Sequence, residues 1–136
     1  MKKALWLCTD KLTEDDRKKI ITLAGEKVEF EECHIPITSY DIINSVLILR
    51  KLIKFYKYEY VITAFEADIT FHIWSLVDGM GISYFADKNK ISRTSAPSRE
   101  FIKIINASDI TSHRTDSEID LSNLVRTYGS KHNDSP

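Results

Sequence analysis

The side chains that can do chemistry in this chain follow short apolar runs. In chain order they are Thr9, Asp10 and Lys11; His34; Glu66, Asp68 and Thr70; Asp87 and Lys88; and Asn106, Ser108 and Asp109. A hydroxyl beside a carboxylate, as at Thr9 and Asp10, can orient a ribose hydroxyl or accept a hydrogen bond from a backbone amide. The same pair can also form a turn between a strand and a helix, so both interpretations stay open.

Two histidines are candidates for proton transfer. His34 can act as a general acid or base near neutral pH, or it can be a hydrogen-bonded structural residue at the end of a strand. His72 comes one helical turn after Asp68 and can share its face of a helix. The alternative for that pair is an Asp68 helix cap with a solvated His72.

Residues 87–100 form a basic stretch with few apolar side chains, which predicts a mobile loop. Its basic residues are Lys88, Lys90, Arg93 and Arg99. Guanidinium and ammonium groups on such a loop can close over an anionic ligand and neutralise its phosphates. A solvated loop without a ligand remains the alternative interpretation.

Several phosphate-binding and nucleophile motifs are missing. The turn after the first apolar run is Thr-Asp-Lys-Leu-Thr, where a dinucleotide-binding domain has G-x-G-x-x-G. The four glycines form no P-loop, and no G-x-S-x-G marks an esterase nucleophile. The aspartates of a phosphoacceptor receiver domain are also incomplete.

The elements that must position these side chains alternate between strand and helix. Strands are predicted at residues 4–8, 27–33, 58–65, 82–86 and 101–105. Thr13 is predicted to cap a first helix that ends at Gly25, Ser39 a mostly buried second helix, and Asp68 a third helix closed by Gly79 or Gly81. Ile119, Leu121, Leu124 and Val125 support at most one short terminal helix.

This order predicts an α/β fold, a Rossmann-like three-layer sandwich with a mostly parallel five-stranded sheet. Ligands of such sheets bind outside the carboxyl ends of the strands, which is where the polar side chains above are expected. We expect one domain over residues 1–128 and a disordered tail over residues 129–136.

Composition excludes several classes of protein. The 136 residues carry 19 basic and 20 acidic side chains, and the net charge of −1 gives no general attraction to long nucleic acid or to membranes. No apolar run approaches the roughly 18 to 20 residues that span a bilayer, and residues 4–8 are too short for a signal-peptide core. We therefore expect a cytoplasmic protein whose Cys8 and Cys33 are thiols in the core.

Two segments resemble a known family. Residues 5–16, LWLCTDKLTEDD, and residues 67–72, ADITFH, are similar to the first strand and turn and to the ligand loop of CARF-type CRISPR-associated proteins, including standalone ring nucleases. The family's loop usually continues with glycines, whereas Phe71 and His72 stand here.

The resemblance implies a homodimer that binds cyclic oligoadenylate, with the two ligand edges facing each other across a two-fold axis, and that needs no metal or other cofactor. Cleavage in such enzymes is attack of a ribose 2′-hydroxyl on the neighbouring phosphate. The catalytic candidates are Thr9, Asp10 and His72. The ligand-binding candidates are Lys11, His34, Glu66, Asp68, Thr70, Lys88 and Arg93.

Two other functions remain open. Asp10, Glu66 and Asp68 can hold Mg²⁺ for phosphoryl transfer in the manner of Toprim-like domains, because carboxylate oxygens are the ligands that this ion prefers. The chain can also be a non-catalytic dimeric or partner-binding module.

Overall fold

The computed structural model describes residues 1–34, 37 and 41–113. Five strands form one sheet: β1 (Lys2–Leu7), β2 (Val28–Cys33), β3 (Tyr60–Thr63), β4 (Ser83–Asp87) and β5 (Phe101–Ile104). Five helices connect or follow them: α1 (Glu14–Ala24), α2 (Ile42–Tyr56), α3 (Ala67–Val77), α4 (Lys88–Ser92) and α5 (Ser108–Thr111). The α/β fold with a mostly parallel five-stranded sheet is therefore confirmed. The predicted terminal helix and the tail at residues 129–136 lie outside the described residues.

The sheet has the order β2-β1-β3-β4-β5. β2, β1, β3 and β4 are mutually parallel, and the strand order places β3 in the middle of the sheet and β2 at one side. β1, β2 and β3 are each followed by a helix that returns the chain to the end of the sheet where the next parallel strand begins. The carboxyl ends of these four strands therefore lie together at one end of the sheet.

β5 runs antiparallel to β4. The backbone N–H of Lys88 donates to the Glu100 carbonyl at 2.6 Å. Residues 88–100 therefore leave and return at the same end of the sheet, where the carboxyl ends of the parallel strands lie. β5 must then run back from that end of the sheet. For this reason Asn106, Ser108 and Asp109 follow β5 at the opposite end of the sheet. The prediction that they lie with the other polar residues was wrong.

Two apolar layers hold the helices on the sheet. On one face Trp6, Ile62 and Phe85 pack with Ile20 of α1. On the other face Leu5, Val61 and Tyr84 pack with residues of α2 and α3, among them Ile53 and Ile73. The three layers of the predicted sandwich are thus α1, the sheet, and the pair α2 and α3.

The first helix begins and ends as its sequence predicted. The Thr13 hydroxyl accepts a hydrogen bond from the Asp16 N–H at 3.1 Å, and the Asp16 carboxylate accepts one from the Thr13 N–H at 3.0 Å. This reciprocal capping box satisfies two N–H groups that the first turn of a helix leaves without partners. Gly25 ends the helix with a φ of 74°, a left-handed conformation that glycine adopts without strain.

Two other helix predictions were wrong. α3 begins at Ala67, so Asp68 lies inside its first turn and Glu66 takes the cap position without a side-chain hydrogen bond. The stretch predicted as a loop with little to bury contains α4, and Ile91 of α4 is buried in the core. Asp87 makes that helix possible because its carboxylate accepts the Asn89 N–H at 3.0 Å and caps the first turn.

α2 is less buried than its apolar composition predicted. Only Ile42, Leu49 and Ile53 are buried, while other apolar residues of the helix face solvent. Ser39, the predicted cap, lies outside the described residues, and Asp41 precedes the helix. In the part of the chain that the structure describes, no helix is long and apolar enough to cross a membrane.

Candidate functional site

An open cleft of about 770 Å³ lies at the carboxyl ends of the parallel strands. Its floor includes Asp10 after β1, Glu66 after β3 and Asp87 at the end of β4. One wall is the start of α1, and the other is formed by residues 89–99. From β1 the chain moves outward to β2, and from β2 it crosses to β3 on the other side of β1. The gap between β1 and β3 is therefore the topological switch point, where open α/β sheets bind ligands.

Three of the predicted site residues line this cleft: Asp10, Glu66 and Arg93. All three are exposed. Arg93 ends α4 with a φ of 58°, a left-handed conformation for a residue with a Cβ. Lys88 lies beside the cleft, where its ammonium group pairs with Glu100 at 3.3 Å.

Other predicted residues lie in the turns next to β1 and β2. Thr9 and Lys11 are exposed residues of the turn between β1 and α1, and neither lines the cleft. His34 stabilises that turn, because its Nδ1 lies 3.1 Å from the Cys8 carbonyl and its Nε2 lies 3.2 Å from Glu32 Oε1. These contacts give His34 a structural position at the side of the site.

The predicted residues of α3 do not line the cleft. The Thr70 side chain is fully buried, and its hydroxyl donates to the Phe65 carbonyl at 3.0 Å. Asp68 is partly buried, and His72 is exposed with its ring against the edge of Phe71. The segment that resembles a ligand loop is thus mostly helix, and only Glu66, which precedes it, reaches the cleft.

The central interaction of the cleft joins Arg99 to α1. One guanidinium nitrogen donates to Asp16 Oδ2 at 2.6 Å, and another lies 3.2 Å from Asp10 Oδ2. The guanidinium carbon also lies 5.2 Å from the centre of the Trp6 ring. Since Asp16 is only 2% exposed, Arg99 supplies the charge that this buried carboxylate needs.

Asp87 secures both ends of the second wall. Its Oδ1 atom accepts hydrogen bonds from the Asn89 N–H at 3.0 Å and the Glu100 N–H at 3.1 Å. The carboxylate is buried, so these bonds replace its hydration. Together Asp87 and Arg99 hold residues 88–100 against the strand ends.

Sequence reasoning missed Asp16, and although it named Asp87 and Arg99 among the polar candidates, it did not predict that they hold the second wall of the cleft in place. Arg99 was predicted only as one of four loop cations. An aspartate at the end of a buried strand was a usable signal for Asp87. No local signal links Asp16 to Arg99, because 83 positions separate them.

The cleft lining has both signs of charge. Five carboxylates and three basic side chains line it, a formal charge of −2. Arg99 is paired with two of those carboxylates, and Lys90 and Arg93 are the other two basic side chains of the lining. Hydroxyl and amide groups complete the second wall, at Asn89, Thr94, Ser95 and Ser98. The cleft therefore offers acceptors for hydroxyl or amine donors on one wall and cations for an anionic group on the other.

The predicted Mg²⁺ ligands are not brought together. Within residues 1–34, 37 and 41–113, no three histidine, cysteine, aspartate or glutamate side chains form a group that can hold a metal ion. Asp10 and Glu66 line the cleft, but Asp68 does not. Burial raises the pKa of the Cys8 thiol under the cleft, so this cysteine is protonated and is not a thiolate nucleophile.

Comparison of the chain with models of protein families, with curated proteins and with solved structures found no match. The resemblance to CARF-type proteins therefore stays a prediction from two short segments. What the cleft can bind has to be argued from its own residues and their geometry.

Proposed function

We propose that the cleft binds a cyclic oligoadenylate and cleaves it without a metal ion. The observation that carries this proposal is the pairing of two kinds of group at the switch point. Exposed carboxylates of Asp10 and Glu66 stand on the strand side, and Lys90 and Arg93 stand on the opposite wall. A nucleotide has complementary groups, because its ribose hydroxyls and adenine amine donate hydrogen bonds while its phosphates are anionic.

The size of the cleft agrees with part of such a ring. Small-molecule sites usually measure about 300–1,000 Å³, and this cleft falls within that range. A ring of several nucleotides would need two clefts that face each other across a two-fold axis. The proposal therefore includes a homodimer, with one cleft from each subunit on the ligand.

The reaction would be an in-line attack by a ribose 2′-oxygen on the adjacent phosphorus. A bond forms between the 2′-oxygen and phosphorus, and the bond from phosphorus to the 5′-oxygen breaks. The products are a 2′,3′-cyclic phosphate and a 5′-hydroxyl, and the proton of the 2′-hydroxyl ends on the 5′-oxygen.

The two predicted proton-transfer groups, His34 and His72, lie outside the lining of the cleft, whereas the catalytic candidate Asp10 lines it. Asp10 or Glu66 would accept the 2′-proton as a general base. Lys90 and Arg93 would stabilise the negative charge that develops on the phosphate oxygens. The protein would thus supply position and electrostatics.

The test is to mix the purified full chain with labelled cyclic tetra-adenylate in EDTA and to measure binding and product formation. We expect a 2′,3′-cyclic phosphate product, loss of cleavage in Glu66→Gln or Asp10→Asn, and about tenfold weaker binding in Lys90→Ala or Arg93→Ala. Lys103→Ala is the matched control, because Lys103 is an exposed lysine outside the cleft lining.

Three results would overturn the proposal. Equal loss of binding in the Lys103→Ala control would mean that general charge is responsible. Cleavage of nucleic acid only after addition of Mg²⁺ would favour a metal-dependent phosphoryl-transfer enzyme. No change in melting temperature with cyclic oligoadenylates, with or without Mg²⁺, would favour a non-catalytic interaction module.

A further inference from the structure

Arg99 lines the cleft, but its guanidinium group is held in place from the interior. One guanidinium nitrogen donates to Asp16 Oδ2 at 2.6 Å, and Asp16 is only 2% exposed. The guanidinium carbon lies 5.2 Å from the centre of the Trp6 ring. The Arg99 carbonyl also accepts a hydrogen bond from the Lys19 ammonium at 2.5 Å. Both the side chain and the main chain of Arg99 are therefore fixed before any ligand binds.

The guanidinium of Arg99 has hydrogen-bond donors left for a ligand. The group carries five N–H donors, and its hydrogen bonds to the described residues use two of them, one to Asp16 and one to Asp10. The Arg99 side chain is 18% exposed, and this exposure is at the cleft. A planar set of N–H donors at fixed positions suits an anion with several oxygens, such as a phosphate group.

Asp10 binds the cleft side of this guanidinium through the longer of the two contacts. Its Oδ2 lies 3.2 Å from the second guanidinium nitrogen, and its side chain is 65% exposed. The Asp10 carbonyl accepts a hydrogen bond from the Trp6 indole N–H at 2.9 Å, which fixes the main chain but leaves the carboxylate able to rotate into solvent. Exposed ion pairs contribute little to stability, so an anionic ligand can replace this one at low cost.

We propose that the guanidinium of Arg99 is a phosphate subsite of the cleft, and that a bound phosphate group displaces the Asp10 carboxylate from it. Asp16 keeps its own hydrogen bond to the guanidinium during this exchange, so only the Asp10 side chain has to move. The neighbouring carboxylate of Asp15 is not a competitor for Arg99, because it pairs with Lys19 at 2.9 Å.

The exchange deepens the proposed function, and its consequence for the reaction rests on that function. With a phosphodiester on Arg99, the Asp10 carboxylate is released beside the ligand. Asp10, rather than Glu66, would then accept the 2′-proton, and it would become available only when a phosphate group is in place. The formal charge of −2 in the lining opposes anions, so free phosphate should bind more weakly than a nucleotide that also uses the polar groups of the cleft.

The test compares the affinity of inorganic phosphate for the full chain and for its variants, by isothermal titration calorimetry at constant ionic strength. Asp10→Asn replaces a charged competitor with a neutral one, and we expect it to bind phosphate about fivefold more tightly than the unmodified chain. Asp15→Asn is the matched control, because Asp15 is also an exposed carboxylate of the lining but pairs with Lys19. Its affinity should stay within about twofold of the unmodified chain, because salt screens exposed charges.

A third variant, Arg99→Lys, tests whether Arg99 is the group for which Asp10 and phosphate compete. Lysine keeps a positive charge near Asp16 but loses the second arm of the guanidinium. We expect weaker phosphate binding in Arg99→Lys, and no gain when Asp10→Asn is added to it. The melting temperature of each variant shows that it is folded, and the comparison of Asp10→Asn with Asp15→Asn decides the question even if Arg99→Lys does not fold.

Three outcomes contradict the phosphate subsite: no gain in phosphate affinity in Asp10→Asn, an equal gain in Asp15→Asn, or a gain that persists in the Arg99→Lys background. Labelled cyclic tetra-adenylate, used in parallel, separates this proposal from the proposed function. If the variants show the expected phosphate affinities but the chain does not bind cyclic tetra-adenylate, the subsite stands and the proposed function fails. If the chain cleaves cyclic tetra-adenylate but Asp10→Asn shows no gain for phosphate, the proposed function stands and the subsite fails.

Discussion

Replacing Arg99 by alanine should destabilise the fold through the carboxylate that it leaves behind. The change removes the 2.6 Å hydrogen bond to Asp16 and the guanidinium above the Trp6 ring. Asp16 keeps the Thr13 N–H but becomes a buried negative charge without a cation. Removing one partner of a buried ion pair is costly because the other charge stays dehydrated.

The expected magnitude follows from the exposure of each partner. A hydrogen bond to a charged group contributes about 1.5–3 kcal/mol, and the contact with Trp6 adds about 0.5–1 kcal/mol. The pair with Asp10 adds little, because the Asp10 side chain is 65% exposed and such pairs contribute about 0–1 kcal/mol. We therefore expect Arg99→Ala to lower the free energy of unfolding by about 2–4 kcal/mol.

The assay is urea unfolding at neutral pH, followed by circular dichroism. Arg17→Ala is the matched control, because Arg17 also pairs with a carboxylate and lies above an aromatic ring, but its Glu14 partner is 83% exposed. The control should lose about 1 kcal/mol or less. In an Asp16→Asn background, the cost of Arg99→Ala should fall. Equal losses for Arg99→Ala and Arg17→Ala would refute the role assigned to the buried carboxylate.

Three further predictions concern stability. Thr13→Ala removes the helix cap on Asp16 and should cost about 1 kcal/mol in urea unfolding, whereas an unchanged midpoint would contradict the capping box. Lys57→Gly should add about 0.5–1 kcal/mol, because Lys57 has a φ of 57°; a loss of stability would show that its side chain matters more than backbone strain. The hydrogen bond to Glu26 and burial raise the pKa of Tyr60 to about 12 from an ordinary 10, so folded protein holds a proton that unfolded protein loses over this range. Stability should therefore fall from pH 10 to 12, and the fall should be shallower in Tyr60→Phe; identical slopes would exclude this titration.

The start of α1 and the presence of most elements could be predicted from sequence, since each depends on residues within one or two turns. The Thr13 cap and the left-handed Gly25 both follow from local patterns of this kind. The end of the sheet that forms the cleft was predictable too, because the carboxyl ends of parallel strands lie together whatever the strand order.

The direction of β5 was not predictable from its own residues. An apolar four-residue strand has the same composition whether it runs parallel or antiparallel. The direction depends on whether residues 88–100 cross the sheet, and the buried Asp87 carboxylate prevents this by holding Glu100 beside Asn89. Those hydrogen bonds depend on tertiary structure, because the one to Glu100 requires residues 88–100 to fold back to the end of β4.

By itself, the sequence determined the α/β class and the end of the sheet where the polar side chains lie, because hydrophobic periodicity and capping act between near neighbours. Tertiary structure alone decided that Arg99 meets Asp16 across 83 positions, that Thr70 is buried away from the cleft, and that one side of α2 stays exposed. The physical reason is that these outcomes depend on which surfaces of the folded elements come into contact. The type of an apolar or charged side chain does not identify the residue that it will contact.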